Sequence, residues 1–295
     1  MKNTMRILTG MLMCGVLATA CKKTVEEAPV TGKPGIEETI PVEPAAPSNQ
    51  YNNKIETKPA VQKGVTANVS TNIAGFQQAL PYYYDSTTKR YPLIIFCHGV
   101  GEQGNGSSDL GKVANNGVPG LIKNKKFPPN FVVNSQNFSF IVLSPQFKVW
   151  PNANDLNALV SYAIKKYRVD STRIYVTGLS MGGGETWDFA GVYANRIAAI
   201  VPMCGASVPD DKKAKVMATA NLPVWAFHNL DDYTVPADWS KQYVAKINAN
   251  NPAIKAKLTT WPTGGHNVWS KASDPNYREG GKNIYEWMLQ YTRKK

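Results

Sequence analysis

The 295-residue sequence is poor in the residue types that build metal and redox centres. It has three histidines (His98, His228 and His266) and four cysteines, and neither type forms a closely spaced pair. Structural and catalytic metal sites need several such ligands converging at characteristic spacings. We therefore predict no metal and no other cofactor. No segment resembles a nucleic-acid-binding module, so no nucleic-acid partner is predicted either.

Acidic residues are the scarcer charged type. The chain carries 21 Asp and Glu against 33 Lys and Arg, which gives a net charge of +12. A basic protein can be drawn to an anionic polysaccharide or to another anionic surface. Ordinary solubility charge explains the excess equally well, so charge alone selects no partner.

The N-terminal part of the chain differs in character from the rest. Residues 1–20 combine a basic start, an apolar stretch and small residues before Cys21, as in a secretory signal peptide. Residues 17–21 resemble a bacterial lipobox, which predicts lipidation of Cys21 and a membrane lipoprotein facing the periplasm or the outside. Plain secretion is the alternative. Residues 21–65 are rich in Pro, Glu and Thr and predict a disordered tether.

Residues 66–295 alternate between strand-like and helix-like segments and predict a single catalytic domain. The expected strands are nearly all apolar, which is typical of a mostly parallel sheet with helices on both faces. The predicted strands are 76–84, 91–97, 139–144, 173–177, 197–203, 223–227 and 257–261, and the predicted helices include 155–167, 237–247 and 282–291. Functional sites of such sheets lie outside the carboxyl ends of the strands.

One segment predicts a nucleophile. Residues 178–182 read Gly-Leu-Ser-Met-Gly between a strand-like run and a helix-like run. In that context the G-x-S-x-G pattern is typical of a sharp turn that holds the oxygen of its serine, here Ser180, clear of the backbone. A glycine-rich loop without function is the alternative.

A nucleophilic serine needs a base, and the three histidines are the candidates for that role. His98 and His228 end apolar strands, where packing is the simpler interpretation. His266 follows two glycines in a loop near the C-terminus, so we predict it to be the base. Asp231 and Asp232 follow a late strand and are the candidates for the third member of the triad. The resulting order of serine, aspartate and histidine is that of α/β-hydrolases.

Longer stretches carry a resemblance to a known group. Residues 92–102 (PLIIFCHGVGE), 141–146 (IVLSPQ) and 175–183 (YVTGLSMGG) are similar to α/β-hydrolase esterases around carbohydrate esterase family one. That group includes feruloyl and acetylxylan esterases, polyhydroxyalkanoate depolymerases and the phospholipase/carboxylesterase group. The resemblance covers residues 75–292 and implies the α/β-hydrolase fold and a serine esterase that needs no cofactor.

The resemblance also assigns roles to residues. It places the acid on Asp232 rather than Asp231, although Asn229 stands where the group usually has glycine. It implies an oxyanion hole formed by the backbone N–H groups of Val100 and Met181. Trp150 and Trp269 are the candidates for substrate contacts, with core packing the alternative, as it is for Trp187.

The implied substrate is a carboxylic ester, and an acylated polysaccharide bearing feruloyl or acetyl groups is the narrower expectation. Two other classes stay open. One is a serine peptidase of the prolyl oligopeptidase type, which shares fold and triad order. The other is a surface glycan-binding protein with an idle triad.

The usual strand order of these hydrolases also predicts the state of two cysteines. Cys97 and Cys204 follow apolar strands that would flank the strand before Ser180. Two strand spacings would place the two cysteines about 9–10 Å apart. Disulfides rarely join cysteines whose Cα atoms are more than about 7 Å apart. We therefore predict two free, buried thiols.

Overall fold

An eight-stranded sheet lies at the centre of the chain. The structure is a computed structural model that describes residues 55–293. Its strands are β1 (Val61–Thr66), β2 (Ile73–Leu80), β3 (Tyr91–Cys97), β4 (Phe131–Val133), β5 (Gln136–Phe138), β6 (Ile141–Phe147), β7 (Val169–Leu179), β8 (Ala199–Met203), β9 (Trp225–Asn229) and β10 (Lys257–Trp261). The sheet runs in the order β1-β2-β6-β3-β7-β8-β9-β10, while β4 and β5 form a separate hairpin.

The sheet is parallel over most of its width. Six neighbouring strands pair in parallel, in the order β6, β3, β7, β8, β9 and β10. At one edge β1 and β2 are antiparallel to each other, and β2 is antiparallel to β6. The carboxyl ends of β3, β7, β9 and β10 therefore open on the same edge. This brings the segments that follow these four strands together.

Helices cover both faces of the sheet. They are α1 (Gly117–Lys123), α2 (Ala153–Lys166), α3 (Met181–Tyr193), α4 (Asp211–Thr219), α5 (Ala237–Ala249), α6 (Trp269–Ala272) and α7 (Ile284–Met288). Apolar side chains of α2, α3, α4 and α5 belong to one core cluster, and those of α1, α6 and α7 to the other. The predicted fold class, a mostly parallel sheet with helices on both faces, is confirmed.

Strand β3 shows why its sequence is apolar throughout. Leu93, Ile95 and Cys97 point into the first core cluster, and Ile94 and Phe96 into the second. Successive side chains of a strand alternate between faces, so a strand covered on both faces needs apolar residues at every position.

The chain enters the fold earlier than the predicted boundary at residue 66. Five of the six residues of β1 lie inside the segment predicted to be a tether, yet all six pair with β2. Glu56 is buried and its carboxylate accepts a hydrogen bond from the backbone of Tyr83. The folded part therefore includes residues 55–65. The predicted signal peptide, Cys21 and the rest of the tether lie outside the described residues.

Other differences concern the ends of elements. The strand predicted at 76–84 is β2, which spans Ile73–Leu80, and Tyr84 instead begins a short 3₁₀ helix, Tyr84–Ser86. The last helix, α7, is shorter than the predicted 282–291. None of the helices in residues 55–293 is both long and apolar enough to cross a membrane.

Helix α3 carries an unusual buried carboxyl group. Glu185 is almost wholly buried, and neither of its oxygens has a hydrogen-bond partner among the described residues. Burial, reinforced by the nearby carboxylates of Asp188 and Asp155, raises the pKa of Glu185 to about 9. The group is therefore a neutral acid at physiological pH.

Candidate active site

Ser180 occupies a strained turn between β7 and α3. Its φ of 53° and ψ of −118° lie in a region that residues with a side chain rarely adopt. Three backbone hydrogen bonds hold the turn: the Ser180 N–H donates to the oxygen of Met203 at 3.0 Å, and the Ser180 carbonyl accepts from Gly184 and Ala206, each at 2.9 Å. The hydroxyl is thereby presented at the carboxyl edge of the sheet.

Glycines make this turn possible by close approach of the backbone. A Cβ atom on Gly182 would lie 2.1 Å from the carbonyl oxygen of Cys97, and one on Gly178 would lie 2.5 Å from the oxygen of Gly182. Such distances are far inside van der Waals contact. The two glycines of the G-x-S-x-G pattern are therefore needed for space against β3 and α3.

The three predicted triad residues lie in one hydrogen-bonded row. The Ser180 hydroxyl donates to Nε2 of His266 at 2.8 Å, and Nδ1 of His266 donates to Oδ2 of Asp232 at 2.7 Å. The side chain of Asp232 is fully buried, whereas that of His266 is 21% exposed. The imidazole therefore separates a buried carboxylate from a hydroxyl at the surface of the site.

The Asp232 carboxylate is held by its own loop. Oδ1 accepts from the backbone N–H groups of Thr234 at 2.9 Å and Val235 at 3.0 Å. Burial by itself would raise the pKa of Asp232, but the hydrogen bonds from His266, Val235 and Thr234 outweigh it and lower that pKa. Asp232 is thus an anion beside His266.

Asp231 has a different position from its neighbour. Its oxygens accept from the backbone N–H groups of Gly264 at 3.2 Å and Gly265 at 2.8 Å, in the turn before His266. Asn229 donates its amide to the Gly265 carbonyl at 2.9 Å. Asp231 and Asn229 therefore fix the turn that carries His266, and neither touches the imidazole by these bonds.

The other two histidines are buried at strand ends, as predicted. His98 Nε2 accepts from the backbone N–H of Phe147 at 3.0 Å, and Nδ1 lies 2.6 Å from the carbonyl oxygen of Gly99. Burial lowers the pKa of His98 to about 4, which keeps the ring neutral. His228 lies against the Asp232 carboxylate, with Nε2 3.2 Å from Oδ2, a contact for which the sequence carries no local signal.

The predicted oxyanion residues begin two helices. Met181 is the first residue of α3, and Val100 is the first residue of a 3₁₀ helix, Val100–Glu102. N–H groups in the first turn of a helix have no acceptor within that helix and can face a ligand. Both segments follow strands that end beside Ser180.

A buried carboxylate supports the loop that carries Val100. Glu102 accepts from the Gly99 N–H at 2.8 Å and from the amide of Asn116 at 2.6 Å. Burial raises the pKa of Glu102, against the two hydrogen bonds. Glu102 belongs to the stretch that carries the resemblance but has no predicted role, and no sequence signal points to Asn116.

The three tryptophans considered for substrate contacts lie in different environments. Trp150 is 51% exposed. Trp269 lies edge-on to His266, with ring centroids 5.5 Å apart, and its indole N–H donates to Asn116. Trp187 is fully buried and stacks on Tyr243, so it belongs to the core.

Cys97 and Cys204 are free and buried, which confirms their prediction. Cys97 ends β3 and Cys204 follows β8, and β7 lies between these two strands. The ligand atoms of Cys204, Asp232 and His266 lie within 4.8 Å of one another. Two of the three already bond each other, so the geometry is that of a triad with a neighbouring thiol rather than of an open metal site.

The arrangement supports one kind of chemistry. Nε2 of His266 can take the proton of Ser180 as the oxygen attacks an electrophilic carbon, and Asp232 fixes the opposite nitrogen as a donor. The helix N-termini beside the serine can stabilise an anion that develops on the attacked group.

Comparisons with known proteins find a matching family and several relatives. A family model described as Phospholipase/Carboxylesterase matches residues 84–273, more than half of the chain. A Salmonella typhi protein named "Putative carboxymethylenebutenolidase" is 26% identical over 152 residues, covering 48% of this chain and 54% of that protein. The bifunctional acetylxylan esterase/xylanase XynS20E of Neocallimastix patriciarum is 31% identical over 77 residues, covering 26% of this chain and 11% of that protein.

A solved structure of a thermostable esterase shares the fold. It superposes with a TM-score of 0.56 at 23% identity, covering 79% of this chain and 63% of that one. The chain thus spans about half the length of the first curated relative and less than two thirds of this structure. The match to the family model, together with the shared fold, shows that the chain belongs to the phospholipase/carboxylesterase family of α/β-hydrolases.

Proposed function

We propose that the protein is a serine esterase that hydrolyses carboxylic esters through an acyl-enzyme. The observation that carries the proposal is the hydrogen-bonded row of Ser180, His266 and Asp232 at the carboxyl edge of the sheet. His266 takes the serine proton while the serine oxygen attacks the ester carbonyl. The protonated imidazole then gives that proton to the leaving alcohol. Water, activated by the same histidine, releases the acid.

Asp232 and the oxyanion hole complete the mechanism. Asp232 holds the N–H of His266 in place and stabilises the imidazolium that forms. The N–H groups of Val100 and Met181 face the developing oxyanion, each contributing about 3 kcal/mol to stabilisation of the transition state. The chemistry needs no metal or organic cofactor.

The proposed substrate is an exposed ester on an acylated polysaccharide carrying acetyl or feruloyl groups. Trp269 borders His266, and Trp150 offers an aromatic surface to solvent, and sugar or phenolic rings can stack on such side chains. The similarity to XynS20E, an acetylxylan esterase/xylanase by its name, supports this choice.

The proposed location is outside the cytoplasm. The signal-like N-terminus and the lipobox-like residues 17–21 support export and lipidation of Cys21, with secretion as the alternative. A lipid anchor would hold the enzyme at a membrane beside an extracellular or periplasmic substrate. Mass analysis of the mature N-terminus from membranes, with Cys21→Ala alongside, tests this; an unmodified Cys21 in soluble protein would leave secretion.

The activity is tested by hydrolysis of an ester panel. Rates are measured on p-nitrophenyl acetate, butyrate and octanoate, on methyl ferulate and on acetylated xylan. Ser180→Ala should reduce each rate by at least about 10⁴-fold, while Ser161→Ala, a change on the exposed face of α2, should leave it unchanged. Activity retained in Ser180→Ala would refute the assignment of the nucleophile.

Two further assays separate the esterase from the alternative functions. A panel of peptide amides tests for a peptidase, which would cleave them at rates comparable to the esters. A fluorophosphonate probe, which labels an activated serine, tests for an idle triad. Folded wild-type protein that neither labels nor hydrolyses esters would favour a glycan-binding role.

A further inference from the structure

A second histidine contacts the triad from the side opposite to solvent. His228 lies in β9, four residues before Asp232, and its side chain is fully buried. Its Nε2 lies 3.2 Å from Oδ2 of Asp232 and 3.0 Å from the carbonyl oxygen of Val235. Its Nδ1 lies 2.8 Å from the hydroxyl oxygen of Ser240 on α5. Both ring nitrogens are therefore engaged.

These partners determine the tautomer of His228. A carboxylate and a carbonyl oxygen can only accept hydrogen bonds, so Nε2 must carry the proton and donate to them. Nδ1 then accepts from the Ser240 hydroxyl, which can donate. Burial lowers the pKa of His228, in opposition to Val235 and Asp232, and so favours the neutral ring that this bonding pattern requires.

Oδ2 of Asp232 consequently accepts from two imidazoles, Nδ1 of His266 at 2.7 Å and Nε2 of His228 at 3.2 Å. Because His228 also bonds the Val235 carbonyl, it ties the carboxylate to the loop whose N–H groups hold Oδ1. Rotation of the carboxylate about its own bond would break contacts on both oxygens.

On the assumption that the proposed esterase mechanism holds, we infer that His228 is a positioning residue of the triad. Its Nε2–H holds the Asp232 carboxylate in its orientation toward His266. By donating to Oδ2 it also partly neutralises the charge of that carboxylate, which weakens the attraction between Asp232 and a protonated His266. His228 touches no reacting atom. It acts through Asp232 on the orientation and the proton affinity of His266.

Loss of this donor should change the pH profile in a defined direction. Without it, Asp232 offers more negative charge to His266, which favours the imidazolium and raises the pH below which the base is protonated. The titratable groups around Asp232 are His228 on β9, His266 after β10 and Cys204 after β8. Asp231 bonds to the glycine turn instead.

The test compares His228→Leu with His228→Gln in the purified full-length protein. Leucine removes the donor, whereas the glutamine amide can still donate to Asp232 or Val235. In His228→Leu we expect kcat for p-nitrophenyl acetate to fall about 10- to 100-fold with KM little changed. The acid limb of kcat/KM should move up by about half a pH unit or more. His228→Gln should restore most of the rate and the wild-type limb.

Thr259→Val separates positioning from loss of stability. It removes a buried hydroxyl of β10 that bonds Trp225 and Glu279, away from the triad. The variant should be less stable than the wild type, but its kcat/KM should fall at the same acidic pH as that of the wild type. The inference would be overturned if His228→Leu had the wild-type kcat and the wild-type pH dependence of kcat/KM. It would also be overturned if Thr259→Val shifted that pH dependence by the same amount as His228→Leu.

Fluorophosphonate labelling distinguishes failure of this inference from failure of the proposed function. Absence of labelling and ester hydrolysis in the wild type would refute both. A wild type that labels, together with a His228→Leu variant that labels at the same rate across the pH range, would refute the role of His228 alone.

Discussion

The two halves of the site are held in place by different means. On the nucleophile side, Ser180 is fixed by backbone hydrogen bonds and by glycines whose missing side chains let β3, β7 and α3 approach closely. On the acid–base side, His266 and Asp232 lie in loops that are tied by side chains, among them Asp231, Asn229 and His228.

The difference predicts unequal responses to substitution. Close packing between backbones cannot be weakened gradually, because any atom added there must displace a strand. Side-chain hydrogen bonds can be removed one at a time, and each typically contributes about 1–3 kcal/mol when a charged group takes part. Substitutions of the glycines on the nucleophile side should therefore affect folding, and substitutions of the side chains that tie the acid–base loops should reduce catalysis by degrees.

The largest effect is expected from Gly182→Ala. Its methyl group would lie 2.1 Å from the Cys97 oxygen, so β3 and α3 must separate. We expect a loss of about 3 kcal/mol in the free energy of unfolding and loss of activity. Gly111→Ala, whose methyl group would meet nothing within 4 Å, is the matched control for denaturation by urea. Equal stability of the two variants would contradict the comparison.

The next effect concerns the pH dependence of stability rather than the assembly of the site, and it arises from Glu185 on α3. The unfolded chain releases this proton above pH 4.5, whereas the folded chain keeps it up to about pH 9. Because the folded state binds the extra proton between these values, stability falls as the pH rises, by about 1.4 kcal/mol per unit. Glu185→Gln should remove that slope between pH 5 and 8, as measured by urea denaturation. Parallel curves for the two proteins would show that Glu185 is ionised when folded.

The smallest effect is expected from Asp231→Ala. Loss of the bonds to Gly264 and Gly265 should loosen the turn before His266 and lower kcat/KM about 10-fold, with stability little changed. Asp231→Asn, which keeps an acceptor oxygen, should lose less. A loss as large as that of Asp232→Ala would instead make Asp231 the acid of the triad.

The parts of the fold that sequence reasoning predicted are those in which local pattern and tertiary environment agree. β3 and β10 occur with the predicted bounds, since their apolar or β-branched residues are typical of strands. β1 (VQKGVT) was missed because an edge strand that is mostly exposed has no apolar run. α4 (DKKAKVMAT) was missed because it buries only Ala214, Met217 and Ala218.

The candidate site divides in the same way. Ser180 and His266 carry local signals, a glycine-framed turn and a scarce residue type. The choice between Asp231 and Asp232 depends on which carboxylate a distant loop faces, so the residues alone left it open. His228 was interpreted as packing because its contact with Asp232 arises only when the loop after β9 folds back on that strand.

The two free thiols within residues 55–293 give a way to time the opening of this sheet. Cys97 and Cys204 are wholly buried, and burial raises the pKa of both thiols. A thiol reagent attacks the thiolate and needs access, so each cysteine can react only when its strand parts from its neighbours. Cys97 is the last residue of β3 and Cys204 follows β8, and these two strands flank β7, the strand that precedes Ser180. The separate labelling rates of the two cysteines, followed by mass spectrometry, would therefore show which flank of the nucleophile strand opens first.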